Sequence, residues 1–154
     1  MLHVVLYQPE IPPNTGNIIR LCANTGTQLS LIAPLGFDLE DRKLKRAGLD
    51  YREFAKVEVF QCLDEFSAKF RPSALFAFST YGKRLHADAI FSSGNALLFG
   101  PETRGLPQAL LKKIGPKNTL RIPMNPDSRS INLSNAVSIA LFEALRQLKY
   151  PFLS

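Results

Sequence analysis

Three polar segments carry the residues of this sequence that could do chemistry. They span residues 9–20 (PEIPPNTGNIIR), 97–107 (LLFGPETRGLP) and 122–136 (IPMNPDSRSINLSNA), and each combines glycine, proline or asparagine with arginine. Each contains a loop that follows a predicted strand, which is where open α/β sheets bind their ligands. A site made from these residues would hold a ligand through main-chain groups and small polar side chains.

The first loop leads into a helix. Asn14, Thr15 and Gly16 precede the helical pattern, and Arg20 follows on the helix itself. Free backbone N–H groups at a helix start, with a guanidinium nearby, suit an anion such as an RNA phosphate. Ordinary helix capping by Asn14 or Thr15 would explain the same residues, so both interpretations stay open.

The second loop follows a buried strand. Gly100 would let a ligand approach the main chain, and Pro101 stiffens the turn. The neighbouring charges of Glu102 and Arg104 favour a binding site over a plain surface turn. The alternative is that these two side chains form an ion pair that only holds neighbouring loops together.

The third loop opens the last helix of the chain. One helix cap needs one polar side chain, whereas this segment offers six: Ser128, Arg129, Ser130, Asn132, Ser134 and Asn135. The surplus favours a binding role.

Several common chemistries lack their residues. The two histidines, His3 and His86, fall outside the three loops, which argues against a histidine-based nucleophile or a metal site. Neither a GxxxxGK[ST] loop nor a GxGxxG turn after the first strand is present, so the usual nucleotide-binding loops are excluded.

The charge of the chain favours a phosphate-bearing partner. The formal net charge is +6, and a basic surface attracts nucleic acid. One short stretch concentrates this charge in Arg42, Lys43, Lys45, Arg46 and Arg52. It could contact RNA, or it could be the solvated face of a helix.

The length of 154 residues predicts one domain spanning residues 1–154. Cys22 and Cys62 lie far apart in apolar segments, which indicates two buried, reduced thiols. The N-terminal apolar run is too short for a signal peptide or a membrane span. We therefore expect a cytoplasmic protein without a membrane contact.

Apolar runs bounded by turn residues predict strands at 2–7, 28–33, 57–62, 74–79, 95–100 and 119–124. Helical patterns lie between several of them, at 18–23, 63–70 and 108–114. This alternation predicts an α/β fold, with a mostly parallel sheet and helices on both of its faces.

The last segment, residues 132–150, is the clearest helix. Its apolar surface is broad because Ile139, Phe142 and Leu145 add to the main stripe, so more than one neighbour must cover it. A homodimer contact and complete burial inside the monomer both explain this pattern.

With these loops in place, the sequence resembles the SPOUT superfamily of knotted methyltransferases, and more closely the bacterial tRNA (cytidine/uridine(34)-2′-O)-methyltransferase family. The resemblance covers nearly the whole chain. The segments that carry it are residues 9–26, RAGLDY (46–51), residues 97–107 and residues 122–144.

The resemblance implies a C-terminal trefoil knot whose loops bind S-adenosylmethionine. It implies a homodimer that methylates the wobble nucleotide, cytidine or uridine 34, in the anticodon stem-loop of tRNA, with leucine isoacceptors as the expected substrates. The residues that it places against the cofactor are Phe78, Ser79, Thr80, Gly100, Pro101, Glu102, Ile122, Met124, Ser130 and Leu133.

The resemblance also implies roles in catalysis and RNA binding. Arg20, Ser130 and Asn132 are the expected catalytic residues, with Arg20 meeting RNA held partly by the other subunit. The expected RNA contacts are Asn14, Arg20, Arg42, Lys43, Arg46, Arg104 and Arg129. Phe142 stands where family members often carry tyrosine. Two alternatives remain, namely a related enzyme with another RNA target and an RNA-binding dimer without catalysis.

Overall fold

The computed structural model describes residues 1–45, 50–54 and 56–154. Arg46, one of the predicted RNA contacts, and most of the RAGLDY segment lie outside the described residues.

A parallel β-sheet forms the centre of the fold. Its order is β3-β2-β1-β6-β4-β7-β5, and each neighbouring pair is parallel. The predicted α/β fold with a parallel sheet is therefore confirmed. Within the described residues the strands are β1 (His3–Tyr7), β2 (Gln28–Ile32), β3 (Val57–Phe60), β4 (Ala74–Phe78), β5 (Arg84–Leu85), β6 (Asn95–Phe99) and β7 (Thr119–Arg121).

Helices cover both faces of this sheet, because successive strand side chains point to opposite sides. Val4 and Leu97 pack into one apolar core with α1 and α6, and Val5 and Leu98 pack into a second core with α4 and α5. The described helices are α1 (Pro12–Thr25), α2 (Arg42–Lys45), α3 (Tyr51–Phe54), α4 (Leu63–Phe70), α5 (Gln108–Ile114) and α6 (Leu133–Gln147).

The element boundaries differ from the prediction mainly at α1 and α6. Helix α1 begins at Pro12 rather than at residue 18, since proline is well tolerated in the first turn of a helix. Helix α6 ends at Gln147, and the following Lys149 and Tyr150 have positive φ angles of 61° and 51°. The short strand β5 was not predicted, whereas α2 and α3 lie in the basic stretch for which a helix was one of two interpretations.

The chain crosses over β7 between β4 and β5. Leu120 of β7 pairs with Phe78 on one side and with Arg84 on the other, so residues 79–83 must pass around β7. At Gly82, an added Cβ atom would lie 2.8 Å from the carbonyl carbon of Leu120. Glycine is needed here because the two backbones touch.

Helix α6 keeps part of its apolar surface exposed. Val137, Leu141 and Leu145 are buried, whereas Ile139 is 40% and Phe142 is 45% exposed. Complete burial of this helix inside the monomer is therefore wrong.

The two cysteines lie in different environments. Cys22 is buried in the α1 core, and burial raises the pKa of its thiol to about 12. Cys62 is exposed directly before α4, so the expectation that it is buried is wrong, because β3 already ends at Phe60. Both are free thiols. In the described part of the chain, no helix has the length and apolar composition needed to cross a bilayer.

Candidate active site

A cavity of about 500 Å³ lies at the carboxyl ends of β4, β6 and β7. Three loops line it, namely residues 78–81, residues 99–106 and residues 121–133. Asn14 of α1 adds one side chain from the first loop segment. Parallel strands that end side by side bring these segments together although they are far apart in sequence.

The residues predicted to contact the cofactor all line this cavity. They are Phe78, Ser79, Thr80, Gly100, Pro101, Glu102, Ile122, Met124, Ser130 and Leu133. Their convergence is a finding of the structure, and contact with a cofactor stays a prediction. Both apolar and polar side chains line the cavity, and the rings of Phe78 and Phe99 stack at a centroid distance of 4.7 Å.

The loop after β6 folds back on itself at Gly100. An added Cβ atom at this position would lie 2.4 Å from the nitrogen of Leu106 and 2.5 Å from the carbonyl carbon of Gly105. The Gly105 N–H also donates to the carbonyl oxygen of Pro101 at 2.8 Å, which closes the turn. The tight turn itself therefore requires glycine at position 100, in addition to any approach by a ligand.

Glu102 connects this loop to the segment before α1. Its carboxylate accepts hydrogen bonds from the N–H groups of Glu10 at 2.9 Å and Ile11 at 2.7 Å. Burial raises the pKa of Glu102, and these hydrogen bonds oppose that shift. Arg104 lies 4.0 Å from the Glu10 carboxylate instead. The alternative that Glu102 and Arg104 pair with each other is therefore wrong, because within the described residues each of them contacts the segment before α1 instead.

Glu10 makes the reciprocal connection. The N–H and hydroxyl groups of Thr103 both donate to its carboxylate, at 2.9 Å and 2.8 Å. These two hydrogen bonds lower the pKa of Glu10. Each of the two loops therefore supplies one carboxylate and two donors to the other.

The start of α1 bears out neither of the two interpretations that the sequence left open, an anion site or a cap by Asn14 or Thr15. Pro12 and Pro13 have no N–H group, and the N–H of Ile11 donates to Glu102. The N–H groups of Asn14 and Thr15 donate to the carbonyl oxygen of Ile11. Capping by Asn14 or Thr15 is also wrong, because Ile11 occupies the N-cap position.

Asn132 joins the first and third loops. Its Oδ1 atom accepts hydrogen bonds from the N–H groups of Ser134 and Asn135, which caps α6. Its Nδ2 atom donates to Oδ1 of the buried Asn14 at 3.0 Å. Asn132 lines the cavity, so a side chain predicted to act in catalysis also fixes the geometry of the site.

Arg20 is not among the described residues that line the cavity. It lies on α1, where its Nη2 atom is 3.7 Å from a carboxylate oxygen of Glu53 on α3. Its side chain is 46% exposed. The structure therefore places Arg20 on the same helix as Asn14 but outside the cavity of its own chain.

The other predicted RNA contacts fall into two groups. Arg104 and Arg129 are exposed and line the cavity together with Asn14. Arg42 and Lys43 lie on α2, where Asp38, Glu40 and Asp41 share a shallow depression with them. Contact of either group with RNA stays a prediction.

Several further residues line the cavity that were not predicted to do so, among them Tyr81, Thr103 and Arg121. Arg121 could have been found, because it is the last residue of β7 and the sheet's ligand-binding edge begins there. Tyr81 gave no such signal, since its position depends on the crossing at Gly82.

His3 lies in the aromatic part of the α4 core, away from the cavity. Its ring contacts the rings of Phe66 and Phe70, and its Nε2 atom forms a 2.8 Å hydrogen bond with the Ser30 hydroxyl. Burial lowers the pKa of His3 to about 4. This histidine therefore has a structural role.

Comparison with known proteins shows which family this chain resembles. The profile of the SpoU rRNA Methylase family matches residues 1–142. The tRNA (cytidine(34)-2′-O)-methyltransferase of Aeromonas hydrophila is 55% identical over 150 residues, covering 97% of this chain and 96% of that protein.

Solved structures show the same architecture. A structure concerned with the 2-OH methylation of C/U34 on tRNA is 47% identical, has a TM-score of 0.88 and covers 97% of each chain. The SpoU methyltransferase AviRb from Streptomyces viridochromogenes, in complex with AdoMet, is 28% identical with a TM-score of 0.82. That match covers 97% of this chain and 61% of AviRb.

Proposed function

Because the chain belongs to the SpoU rRNA methylase family, we propose that it uses S-adenosylmethionine to methylate the ribose 2′-hydroxyl of nucleotide 34 in tRNA. The full-length similarity to the enzyme of Aeromonas hydrophila supports cytidine as that nucleotide. We further propose that uridine 34 is also methylated and that leucine isoacceptors are the substrates. We also propose that the protein is cytoplasmic and that residues 1–154 form one domain.

The observation that carries this proposal is the convergence of the loops 78–81, 99–106 and 121–133, together with Asn14, on one cavity. Its volume of about 500 Å³ lies within the range of ligand pockets. Phe78, Phe99 and Leu133 give it apolar walls for an adenosine group, and Ser79, Ser130 and Asn132 give it small polar groups. The residues present therefore fit S-adenosylmethionine.

The bound cofactor would supply an electrophilic methyl group next to the ribose. Asn132 is fixed by α6 and by Asn14, and its second Nδ2 hydrogen can bind the 2′-hydroxyl. Ser130 lines the same cavity and can accept a hydrogen bond from that hydroxyl. Holding the attacking oxygen in position accounts for much of the rate of such a transfer.

Arg20 would act on the RNA rather than on the cofactor. A guanidinium stays protonated in proteins, so it can bind a phosphate and stabilise the charge that develops on the attacking oxygen. Proton abstraction by Arg20 is the less favourable role for the same reason.

We propose that a second copy of the chain completes this site. Arg20 lies outside the cavity of its own chain, and α6 exposes Ile139 and Phe142. A homodimer that covers α6 would bury these two side chains and would let Arg20 of one subunit reach RNA bound at the cavity of the other.

The proposal includes the trefoil knot of the SPOUT superfamily. The crossing of residues 79–83 over β7 supports it, because the chain that leaves β7 continues through the cavity loop into α6. The close contact of Gly82 with the backbone of Leu120 marks the position of this crossing.

A methyl-transfer assay tests the function. Labelled S-adenosylmethionine and an anticodon stem-loop with cytidine 34 should give labelled RNA, while the same RNA with 2′-deoxycytidine 34 should give none. Arg20→Ala should lower kcat by about 100-fold, typical of losing a group that stabilises an oxyanion. Lys112→Ala, on the exposed surface of α5 and outside both the cavity and the basic stretch, is the control.

Uridine 34 and ribosomal RNA fragments are the comparison substrates. Equal labelling of the ribose and deoxyribose RNAs would refute 2′-O-methylation, and preferential labelling of a ribosomal fragment would refute the tRNA substrate.

A further inference from the structure

Two loops at the edge of the cavity form reciprocal hydrogen bonds, in which each loop supplies one carboxylate to donors of the other; we call this pair of connections the exchange. The segment before α1 supplies the carboxylate of Glu10 to the N–H and hydroxyl groups of Thr103. The cavity loop supplies the carboxylate of Glu102 to the N–H groups of Glu10 and Ile11. Because both connections run between the same short segments, neither loop can move far without breaking hydrogen bonds to charged groups.

One side of this exchange is the cavity loop. Residues 99–106 line the cavity, and the hydrogen bond from Gly105 to Pro101 closes them into a compact turn. A ligand in the cavity would contact this turn directly. Because Thr103 donates two hydrogen bonds to Glu10, a shift of the ligand-binding loop would also move the Glu10 carboxylate.

The other side of the exchange is helix α1. Ile11 is its N-cap residue, and the carbonyl oxygen of Ile11 accepts the first hydrogen bonds of the helix, from Asn14 and Thr15. Arg20 lies on the same rigid element. A shift of Glu10 and Ile11 would therefore move α1 and change the position of the Arg20 side chain.

We propose that Glu10 is a positioning residue that couples the cofactor-binding loop to the helix carrying Arg20, so that cofactor binding and RNA binding strengthen each other. This inference rests on the proposed function. Glu10 itself needs no contact with either ligand, because it acts through Thr103 on one side and through Ile11 on the other.

The polarity of this connection supports a role beyond packing. The Glu10 side chain is 28% exposed and belongs to neither apolar core. Its hydrogen bonds lower the pKa of Glu10, which shows that the structure favours the charged carboxylate.

The test measures binding of an anticodon stem-loop RNA by the full chain, with and without saturating S-adenosylhomocysteine, after each ligand has been titrated alone. We expect the cofactor product to raise RNA affinity about tenfold in the unmodified protein, within the usual range of coupling between sites. Glu10→Ala should reduce this factor to about one, while each ligand alone binds within about threefold of normal.

Two variants serve as controls. Glu10→Gln keeps an oxygen that can accept a hydrogen bond from Thr103, so it should restore part of the coupling. Asp64→Ala removes an exposed carboxylate on α4, whose side chain is 87% exposed, and should leave the coupling unchanged.

A coupling factor that survives in Glu10→Ala overturns the proposal, and so does an unmodified protein without coupling. A parallel loss of both separate affinities and of thermal stability also overturns it, because that pattern indicates only a structural role. The separate titrations identify the other failure: an unmodified protein that binds no S-adenosylhomocysteine refutes the proposed function, and the coupling inference falls with it.

Amide hydrogen exchange gives a second readout without ligands. Glu10→Ala should speed exchange of the Thr103 N–H, which loses its acceptor. If the two loops act as one unit, the N–H groups of residues 10 and 11 should also exchange faster, by about fivefold or more, although Glu102 still faces them. Unchanged exchange at residues 10 and 11 would refute the coupling.

Discussion

Substitutions at Asn132 can separate its role as a helix cap from its role in the site. Asn132→Ala removes the cap of α6, which costs about 1 kcal/mol of the free energy of unfolding. It also leaves the buried Oδ1 of Asn14 without its donor, which costs about 1–3 kcal/mol more. We therefore expect a total loss of about 2–4 kcal/mol.

Asn132→Ser keeps an oxygen that can cap α6. It removes the amide group that donates a hydrogen bond to Asn14. Its loss should therefore be limited to the Asn14 part, about 1–3 kcal/mol. Asn135→Ala, on the exposed side of the first turn of α6, is the matched control and should cost less than about 0.5 kcal/mol. Urea unfolding of the three variants measures these differences.

The same variants test catalysis. If Asn132 orients the 2′-hydroxyl, both substitutions should lower kcat about tenfold at temperatures where the variants stay folded, which corresponds to one lost hydrogen bond. An Asn132→Ser enzyme with normal kcat and normal stability would refute both the bond to Asn14 and the orienting role.

Three further results are expected. Burial lowers the pKa of His3 from 6.5 to about 4, so protonation of His3 favours the unfolded chain. The free energy of unfolding should therefore fall by about 2 kcal/mol between pH 7 and pH 5, as measured by urea unfolding. His3→Gln should abolish this part of the fall, and His86→Gln should keep it. Gly100→Ala should cost about 1–3 kcal/mol of the free energy of unfolding and weaken S-adenosylmethionine binding in calorimetry, because the added Cβ meets the backbone of Gly105 and Leu106. The exposed control Ser92→Ala should do neither, and equal effects of the two substitutions would contradict the tight turn. Hydrogen bonds from Arg146 and Gln147 lower the pKa of Glu143 to about 2, so the ionised carboxylate stabilises the fold above pH 4.5 and this stabilisation is lost as the pH falls towards 2. Glu143→Gln should reduce the fall of the unfolding temperature over this pH range. An unchanged fall would refute the assignment.

The sequence predicted those parts of the fold that depend on local patterns. The helices at 63–70 and 108–114 have the predicted bounds, because Pro72 lies just beyond the first and Gly115 directly follows the second. Six of the strands were located for the same reason. Strand β5 was missed because two residues carry no periodicity; pairing with β7 creates it.

The site was predicted less completely than the sheet. The position of the site was predicted because strand ends are where α/β sheets bind ligands, and the individual cofactor contacts came from the family resemblance. The start of α1 was misread because Glu102, distant in sequence, takes the N–H groups of Glu10 and Ile11. The separation of Arg20 from the cavity is likewise a result of packing that no local pattern contains.

The bond between Asn14 and Asn132 joins residues 118 positions apart, so the cavity forms only when the two halves of the chain have met. Occupancy of the cavity is consequently linked to the stability of the whole chain rather than of one loop. A ligand present at about 100 times its Kd would add about 2.7 kcal/mol to the free energy of unfolding. In a cell, the supply of methyl donor would therefore also set how long each molecule survives proteolysis.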